Sequence, residues 1–326
     1  MNAAAPPPVD GTSIPHADDQ SPPAPPFMFP ALRSTVPPGN LSASLDPPPE
    51  VEPDAEAQRP KSLVPFLKWP GGKRWLVALY PHLIPATFNR YIEPFLGGGS
   101  VYFHLQPTVA TLGDANLDVV RAFRGIKLAP HRVKELLQQY HAQHCADHYY
   151  LVREARPKSL AEHAARTIYL NRTCFNGIYR VNRAGKFNVP IGTRSNVMLD
   201  TDDFITASRL LRTADIRHSD FEQVIDLAHE GDLIFADPPY TVRHNTNGFV
   251  LYNETLFSWA DQQRLANALH RAKNRGVQVL STNAAHESVR ELYNQKGFKL
   301  ETISRFSPIA ARSKSRKQFE ELVITA

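Results

Sequence analysis

The stretch Gly231-Asp232-Leu233-Ile234-Phe235-Ala236-Asp237-Pro238-Pro239-Tyr240 constrains this 326-residue chain more than any other. Leu233 to Ala236 is a short apolar run bounded by turn formers, the pattern of a buried strand. Pro238 and Pro239 have no N–H to give to a sheet ladder, so the strand must stop there. Their rings stiffen the backbone and hold Asp237, the Pro238 carbonyl and the Tyr240 ring at the strand's carboxyl end. Open α/β sheets bind their ligands at that edge. A carboxylate and a carbonyl side by side can accept the hydrogens of a planar exocyclic amine and leave its lone pair free to attack. An aromatic face beside them can stack on an extruded base. The plain alternative is a strand and a rigid turn, with Asp237 as a turn cap and Tyr240 in the core.

The amino-terminal half carries companion blocks. Phe66-Leu67-Lys68-Trp69-Pro70-Gly71-Gly72-Lys73 precedes Tyr91-Ile92-Glu93-Pro94-Phe95-Leu96-Gly97-Gly98-Gly99-Ser100-Val101, and Thr111-Leu112-Gly113-Asp114-Ala115-Asn116 follows. The middle block reads as strand, glycine-rich turn, helix. Its glycines let a ligand approach the backbone, and the helix start behind them offers free N–H groups. Asp114 ends the next strand, the position from which an acid reaches ribose hydroxyls in nucleoside-binding α/β folds. A P-loop is excluded: Leu67 stands where its first glycine belongs, and Arg74 follows Gly72-Lys73 where Ser or Thr is required.

Strand and helix alternate through the rest of the chain. Strands are expected at 90–94, 108–113, 214–218, 232–236, 277–282, 297–304 and 319–325. Helices are expected at 73–83, 99–105, 117–127, 220–229, 258–274 and 285–294. Residues 130–171 read as largely helical, with breaks near Asp147 and Pro157. A hairpin is expected over 179–189, because Asn182-Arg183-Ala184-Gly185 is turn-rich between two extended arms. The alternation argues for a mostly parallel sheet covered on both faces.

The second informative stretch is Asn171-Arg172-Thr173-Cys174-Phe175-Asn176-Gly177-Ile178-Tyr179-Arg180. An aromatic beside Asn-Gly can fill the gap left by a flipped base, and an arginine on a hairpin arm can bind guanine O6 and N7 together. The bland alternatives are a core Phe175 and a surface charge at Arg180. Residues 241–249, polar and Asn-rich, read as a loop beside the catalytic strand end, with Arg243 or His244 near phosphate. Arg305, Arg312, Lys314, Arg316 and Lys317 form a basic patch suited to phosphate.

Composition enters through its asymmetry. Residues 1–60 hold 16 of the 28 prolines, eight acids and two arginines, so the remaining residues carry a net charge of +11 against +5 for the whole chain. The first 60 residues are expected to be a disordered, acidic, proline-rich tail. The basic remainder suits phosphate contacts and salt-sensitive association with DNA. Thirteen scattered histidines and two distant cysteines, Cys145 and Cys174, give no metal-ligand pattern. With no export signal or membrane span apparent, a cytoplasmic protein is expected.

Five blocks, Phe66 to Lys73, Glu93 to Val101, Asp114-Ala115-Asn116, Asn171 to Gly192 and Asp237 to Tyr240, resemble in order and spacing those of the Dam-type (α-group, D12 class) DNA adenine-N6 methyltransferases. The resemblance covers roughly residues 62–326. It implies a Rossmann-like α/β sheet that uses S-adenosylmethionine, with an inserted, mostly helical target-recognition subdomain carrying a β-hairpin. The catalytic domain would then be 61–128 with 214–326, and the recognition subdomain 129–213. By similarity Trp69, Lys73, Asp114 and Asp237 contact the cofactor, while Glu93, Phe95 and Gly97 shape its pocket. Asp237, Pro238, Pro239 and Tyr240 are the catalytic tetrapeptide. Lys68, Phe175, Asn176, Arg180, Arg312 and Lys314 are the DNA-contacting candidates, with Lys68 matching a lysine that contacts guanine in that family. Pro70 departs from the family, which often has Ala there.

The implied reaction is direct methyl transfer to adenine N6 in duplex DNA after base flipping, without metal, in a bacterial or phage-encoded enzyme. A GATC-like target is a candidate, although the short stretch after Gly192 leaves one usual recognition contact in question. A cognate restriction endonuclease is not visible in the sequence. Other readings stay open: an RNA adenine or cytosine-N4 methyltransferase, or an inactive DNA-binding homologue. Asp237, where cytosine-N4 enzymes tend to carry Ser, favours adenine, and an intact Asp-Pro-Pro-Tyr argues against a mere binder.

Overall fold

A computed structural model describes residues 62–177, 179–182, 186–241, 257–306 and 318–326. The expected tail, the 242–249 part of the loop and the Arg312 to Lys317 patch lie outside the described residues. Seven strands form one sheet in the order β3-β2-β1-β4-β5-β7-β6. These are β1 (Tyr91–Glu93), β2 (Ala110–Asp114), β3 (Ala214–His218), β4 (Leu233–Ala236), β5 (Gln278–Ala284), β6 (Lys299–Phe306) and β7 (Gln318–Thr325). The first five are parallel, and β7 runs antiparallel to both neighbours. The chain reverses its direction of travel across the sheet between β1 and β4. That switch point leaves a crevice at their carboxyl ends. The result is a Rossmann-like α/β sheet, as expected.

Alternation along the strands explains why both faces are covered. Tyr91, Leu112, Leu233, Phe235, Leu280 and Val323 enter one apolar core, whereas Ile92, Ile234, Ala236, Val279, Leu322 and Ile324 enter the other. A period of two sends successive side chains to opposite faces, so strands buried on both sides read as unbroken apolar runs. Helices α1 (Arg74–Leu79), α2 (Ser100–Leu105) and α3 (Leu117–Leu128) cover the first face. Helices α8 (Phe221–Ile225), α9 (Trp259–Asn274) and α10 (Glu287–Asn294) cover the second. Ser258 and Asp261 form a reciprocal capping box that starts α9.

Between β2 and β3 the chain adds α4 (Pro130–Ala142), α5 (Ala146–Glu154), α6 (Leu160–Thr173) and α7 (Phe204–Leu211). The first break falls at 143–145, before Asp147, because Cys145 caps α5 and Asp147 lies in its first turn. Pro157 lies in the second break, before the Ser159 cap of α6. Helix α7, capped by Asp203, was not expected from the sequence. Within the expected hairpin the described pairing is one antiparallel bridge, Val181 with Phe187. Helix α8 is shorter than the expected 220–229.

Helix α6 packs closely on α3 because Gly125 has no side chain. A Cβ there would lie 2.5 Å from both the Ala164 Cβ and the Leu160 carbonyl oxygen. The carbonyl belongs to the backbone and cannot step aside. Gly125→Val is expected to lower unfolding free energy by about 1–3 kcal/mol, read as a lower urea midpoint at an unchanged slope.

Candidate active site

Sheet geometry alone brings four side chains together. Counting by twos from the first-face residues Tyr91, Phe235, Leu280 and Val323 places Glu93, Asp237, Thr282 and Glu321 on that same face. The first three lie toward the carboxyl ends of parallel strands. Glu321 joins them because β7 is reversed: it pairs with Ala284, the last residue of β5. Asp114 reaches the same edge from β2.

Lys73 closes this cluster from beneath. Its ammonium is buried, 3.0 Å from Asp237 Oδ1 and 3.4 Å from Glu321 Oε2, and it donates to the Gly71 carbonyl at 2.9 Å. Its Nζ also lies 5.0 Å from the centre of the Tyr240 ring. Thr282 Oγ1 donates to Asp237 Oδ1 at 2.7 Å, and the Tyr240 hydroxyl donates to Glu321 Oε2 at 2.9 Å. Both Asp237 contacts therefore fall on Oδ1. Among the described residues Oδ2 has no such partner, and the side chain is 19% exposed. Pro238 is buried and Pro239 half-buried.

The glycine turn is organised by Asp114. Its Oδ2 accepts the Gly97 N–H at 2.8 Å and its Oδ1 the Asn116 N–H at 2.7 Å. Burial pushes this carboxyl up to about 6, against the lowering effect of those two N–H groups and of His218. Gly97, at φ +48°, packs on Trp69, where a Cβ would come within 2.7 Å of the indole Cδ1. Ser100, the first residue of α2, accepts the Lys73 N–H at 3.0 Å. Glu93 is buried and accepts the Tyr91 hydroxyl at 3.0 Å. Burial, with further raising by Asp237 and Asp114, holds its carboxyl far above the ordinary range. Phe95 turns to the other face, stacked 5.3 Å from Phe221.

An open groove of about 500 Å³ runs past the glycine turn, lined by Lys68, Trp69, Gly98, Ser100 and Asn176 among others. Its walls are joined by α6. Asn171 Oδ1 accepts the Lys68 N–H at 2.8 Å, and Asn171 Nδ2 donates to the Lys68 carbonyl at 2.9 Å. The fully buried Arg172 donates to the Phe66 carbonyl and forms a two-pronged pair with Asp202, at 2.6 and 2.7 Å. Burial and the Arg194 and Arg172 charges lower the Lys68 ammonium. Phe175 is 53% exposed, and Asn176 adopts the left-handed backbone conformation that turns the chain beneath it. Tyr179 stacks on Trp69 with ring centres 5.6 Å apart and donates to Asp118 near the start of α3. Arg180 is exposed, and its Nε donates to Asn188.

The structure thus gathers Lys73, Glu93, Asp114, Asp237 and Tyr240 at the sheet edge, with Gly97 bonded to Asp114 and packed on Trp69. Lys68 and Asn176 line the adjoining groove, with Phe175 next in sequence, while Phe95 stands apart on the second face. Arg312 and Lys314 lie outside the described residues. Sequence reasoning missed Thr282, Glu321 and the roles of Ser100, Asn171, Arg172 and Tyr179. The adjacent acids Glu320 and Glu321 next to the apolar run Leu322 to Ile324 were visible, but the sequence does not say which of them faces the site. Among the described residues no group of three or more His, Cys, Asp or Glu is set to hold a metal, and no helix is long and apolar enough to cross a membrane.

Chemically, the edge offers an open carboxylate oxygen beside a proline-fixed backbone, inside a cluster richer in carboxylates than in cations. Residues 69–308 match the family model described as D12 class N6 adenine-specific DNA methyltransferase. The chain is 34% identical over 273 residues to the Type II methyltransferase M1.LlaDCHI of Lactococcus lactis subsp. cremoris, covering 81% of this chain and 95% of that protein. It is 32% identical to the DNA N-6-adenine-methyltransferase of Escherichia phage P1, over 82% of this chain but 35% of the phage protein. A DNA adenine methylase of Serratia marcescens is 32% identical over 70% of this chain and 86% of its own length.

The Arg172–Asp202 pair makes a stability prediction. Asp202→Ala leaves a guanidinium buried without its counter-charge and is expected to cost about 3–5 kcal/mol. Urea unfolding followed by circular dichroism measures it.

Proposed function

This chain belongs to the D12 class N6 adenine-specific DNA methyltransferases, and on that premise we propose that it moves a methyl group from S-adenosylmethionine to the N6 amine of adenine in a specific duplex DNA sequence. The observation that carries the reading is Asp237: one oxygen is fixed by Thr282 and Lys73, and the other is open to the site. That oxygen and the Pro238 carbonyl accept the hydrogens of the amine and turn its lone pair toward the methyl donor. Positioning supplies most of the rate, because two reactants held in line need no further search. The same acceptors, set in advance, stabilise the amine as it becomes positive. The proton leaves to water afterwards.

The residues present fit the cofactor. When bound, S-adenosylmethionine supplies a methyl group already activated on a positive sulfonium. Asp114 and Asp237 offer carboxylates to its cationic and hydroxyl groups, the buried Glu93 adds a carboxyl, and Lys73 brings an ammonium to the same edge. Each Asp114 oxygen spends one lone pair on a backbone N–H and keeps another for a ribose hydroxyl. Trp69 forms a wall of the groove beside the glycine turn.

The target base must leave the helix, which costs a few kcal/mol. The exposed Phe175 suits the gap, Tyr240 suits the flipped base, and Lys68, Asn176 and Arg180 suit base edges and phosphate. The segment 129–213 is accordingly assigned to target recognition. A GATC-like site is the working candidate for the target.

Incubating the protein with unmodified plasmid and labelled S-adenosylmethionine, then digesting to nucleosides, tests the reading. Label in N6-methyladenosine is expected from the wild type, with Asp237→Ala reduced to background. Label in methylcytosine, or none with DNA, would overturn the adenine assignment. Mapping the modified adenines then gives the target sequence.

Asp114 makes cofactor affinity pH-dependent. Its carboxyl is protonated below about 6 in the folded protein, and hydroxyl donors favour the ionised form. Affinity is therefore expected to weaken by up to about tenfold per pH unit below that point and to level off above it. Asp114→Asn should lack this step in a calorimetric titration. In the absence of cofactor the sign is opposite. The native chain keeps a proton that the unfolded chain has released, so Asp114 erodes stability as pH rises from 3.8 toward about 6.

A further inference from the structure

Glu321 belongs to none of the blocks that carry the family pattern, yet it is the acid of β7 that lies in the site. Its neighbour Glu320 faces solvent, while Glu321 is 5% exposed. Resting on the methyl-transfer reading above, we propose that Glu321 is a positioning residue of that site: it fixes the Tyr240 ring through its phenol and shares the Lys73 ammonium with Asp237.

The geometry supports both halves. Glu321 Oε2 accepts the Tyr240 hydroxyl at 2.9 Å and lies 3.4 Å from Lys73 Nζ. Tyr240 follows two prolines, so its backbone is stiff, and the phenol contact fixes the far end of the ring. Burial and the charges of Asp237 and Glu321 push the Tyr240 hydroxyl well above its ordinary value, so it remains a donor at working pH. Lys73 sits between two carboxylates. Drawn partly to Glu321, it meets Asp237 on Oδ1 and leaves Oδ2 and a net negative charge to the amine. A carboxylate on an inner strand is a poor choice for stability, since an apolar residue would avoid the desolvation cost. Its place beside the tetrapeptide gives it a reason to be there.

The test uses the full chain with Glu321→Gln, Tyr240→Phe, the double variant and Glu320→Gln. Gln keeps an acceptor for the phenol and removes the charge; Phe keeps the ring and removes the donor. Methylation kinetics and the emission of a duplex with 2-aminopurine at the target position, measured without cofactor, are read together. Glu321→Gln is expected to lower kcat by about tenfold or more with little change in the KM for DNA. Tyr240→Phe should lower it too, the double variant should lose less than the product of the two, and Glu320→Gln should match wild type. Emission from the protein-bound duplex should change in Tyr240→Phe, because a ring no longer held stacks differently on the base. Tyr240→Phe reaches the same contact from the other side and serves if Glu321→Gln folds poorly. An active wild type with Glu321→Gln within about twofold of it, multiplicative losses in the double variant, or unchanged emission in Tyr240→Phe would overturn the inference alone. A wild type that makes no N6-methyladenine would overturn the function first and the inference with it.

Discussion

Lys73 has to be paired, and much of the site follows from that requirement. An ammonium this deeply buried survives only where oxygens replace its water. Here the oxygens come from Gly71 in its own turn, Asp237 at the end of β4 and Glu321 on β7. Three distant parts of the chain meet on one charge. The interaction therefore works as a geometric rivet more than as a source of stability, because the desolvation of three ionised groups offsets much of their attraction. Glu93 adds a further acid whose carboxyl burial pushes well above its usual range, so the cluster can carry several carboxyls without a matching number of cations. Such a surplus of acceptors suits a positive sulfonium and an amine that becomes positive.

The parallel core was legible because its strands are buried on both faces and read as apolar runs between turn formers. Asp237 and Asp114 were legible as acids placed where such runs end. Glu321 was not. In Phe319-Glu320-Glu321-Leu322 either acid could face inward, and a shift of one residue reverses the choice. Only the antiparallel pairing of Glu321 with Ala284 fixes the face and brings it to the ligand edge. Helix α7 escaped for a different reason. Phe204 to Leu211 mixes β-branched and apolar residues within two turns, too short for a clear period, although the Asp203 cap was visible. The resemblance located the Trp69 and Phe175 blocks, but sequence spacing cannot show that Tyr179 stacks on Trp69 or that Phe95 turns to the opposite face.

The end of α6 shows how the inserted helices enter the site. The chain from Phe66 to Lys68 lies outside the sheet and the helices, so its backbone polar groups need other partners. Two consecutive side chains supply them: Asn171 bonds both backbone groups of Lys68, and Arg172 bonds the Phe66 carbonyl while Asp202 balances its charge. Just beyond come Phe175 and Asn176, and then Tyr179, which rests on Trp69 and donates to Asp118 near the start of α3. The groove wall formed by Lys68 and Trp69 is thus held by the same short stretch that presents Phe175 and Arg180. A displacement of that stretch cannot leave Trp69 where it is, because the aromatic stack and the Lys68 backbone bonds would both have to break. On the proposed reading, with a base on one side of this wall and a methyl donor on the other, the two tasks would share a support, and neither surface could be rebuilt without disturbing its neighbour.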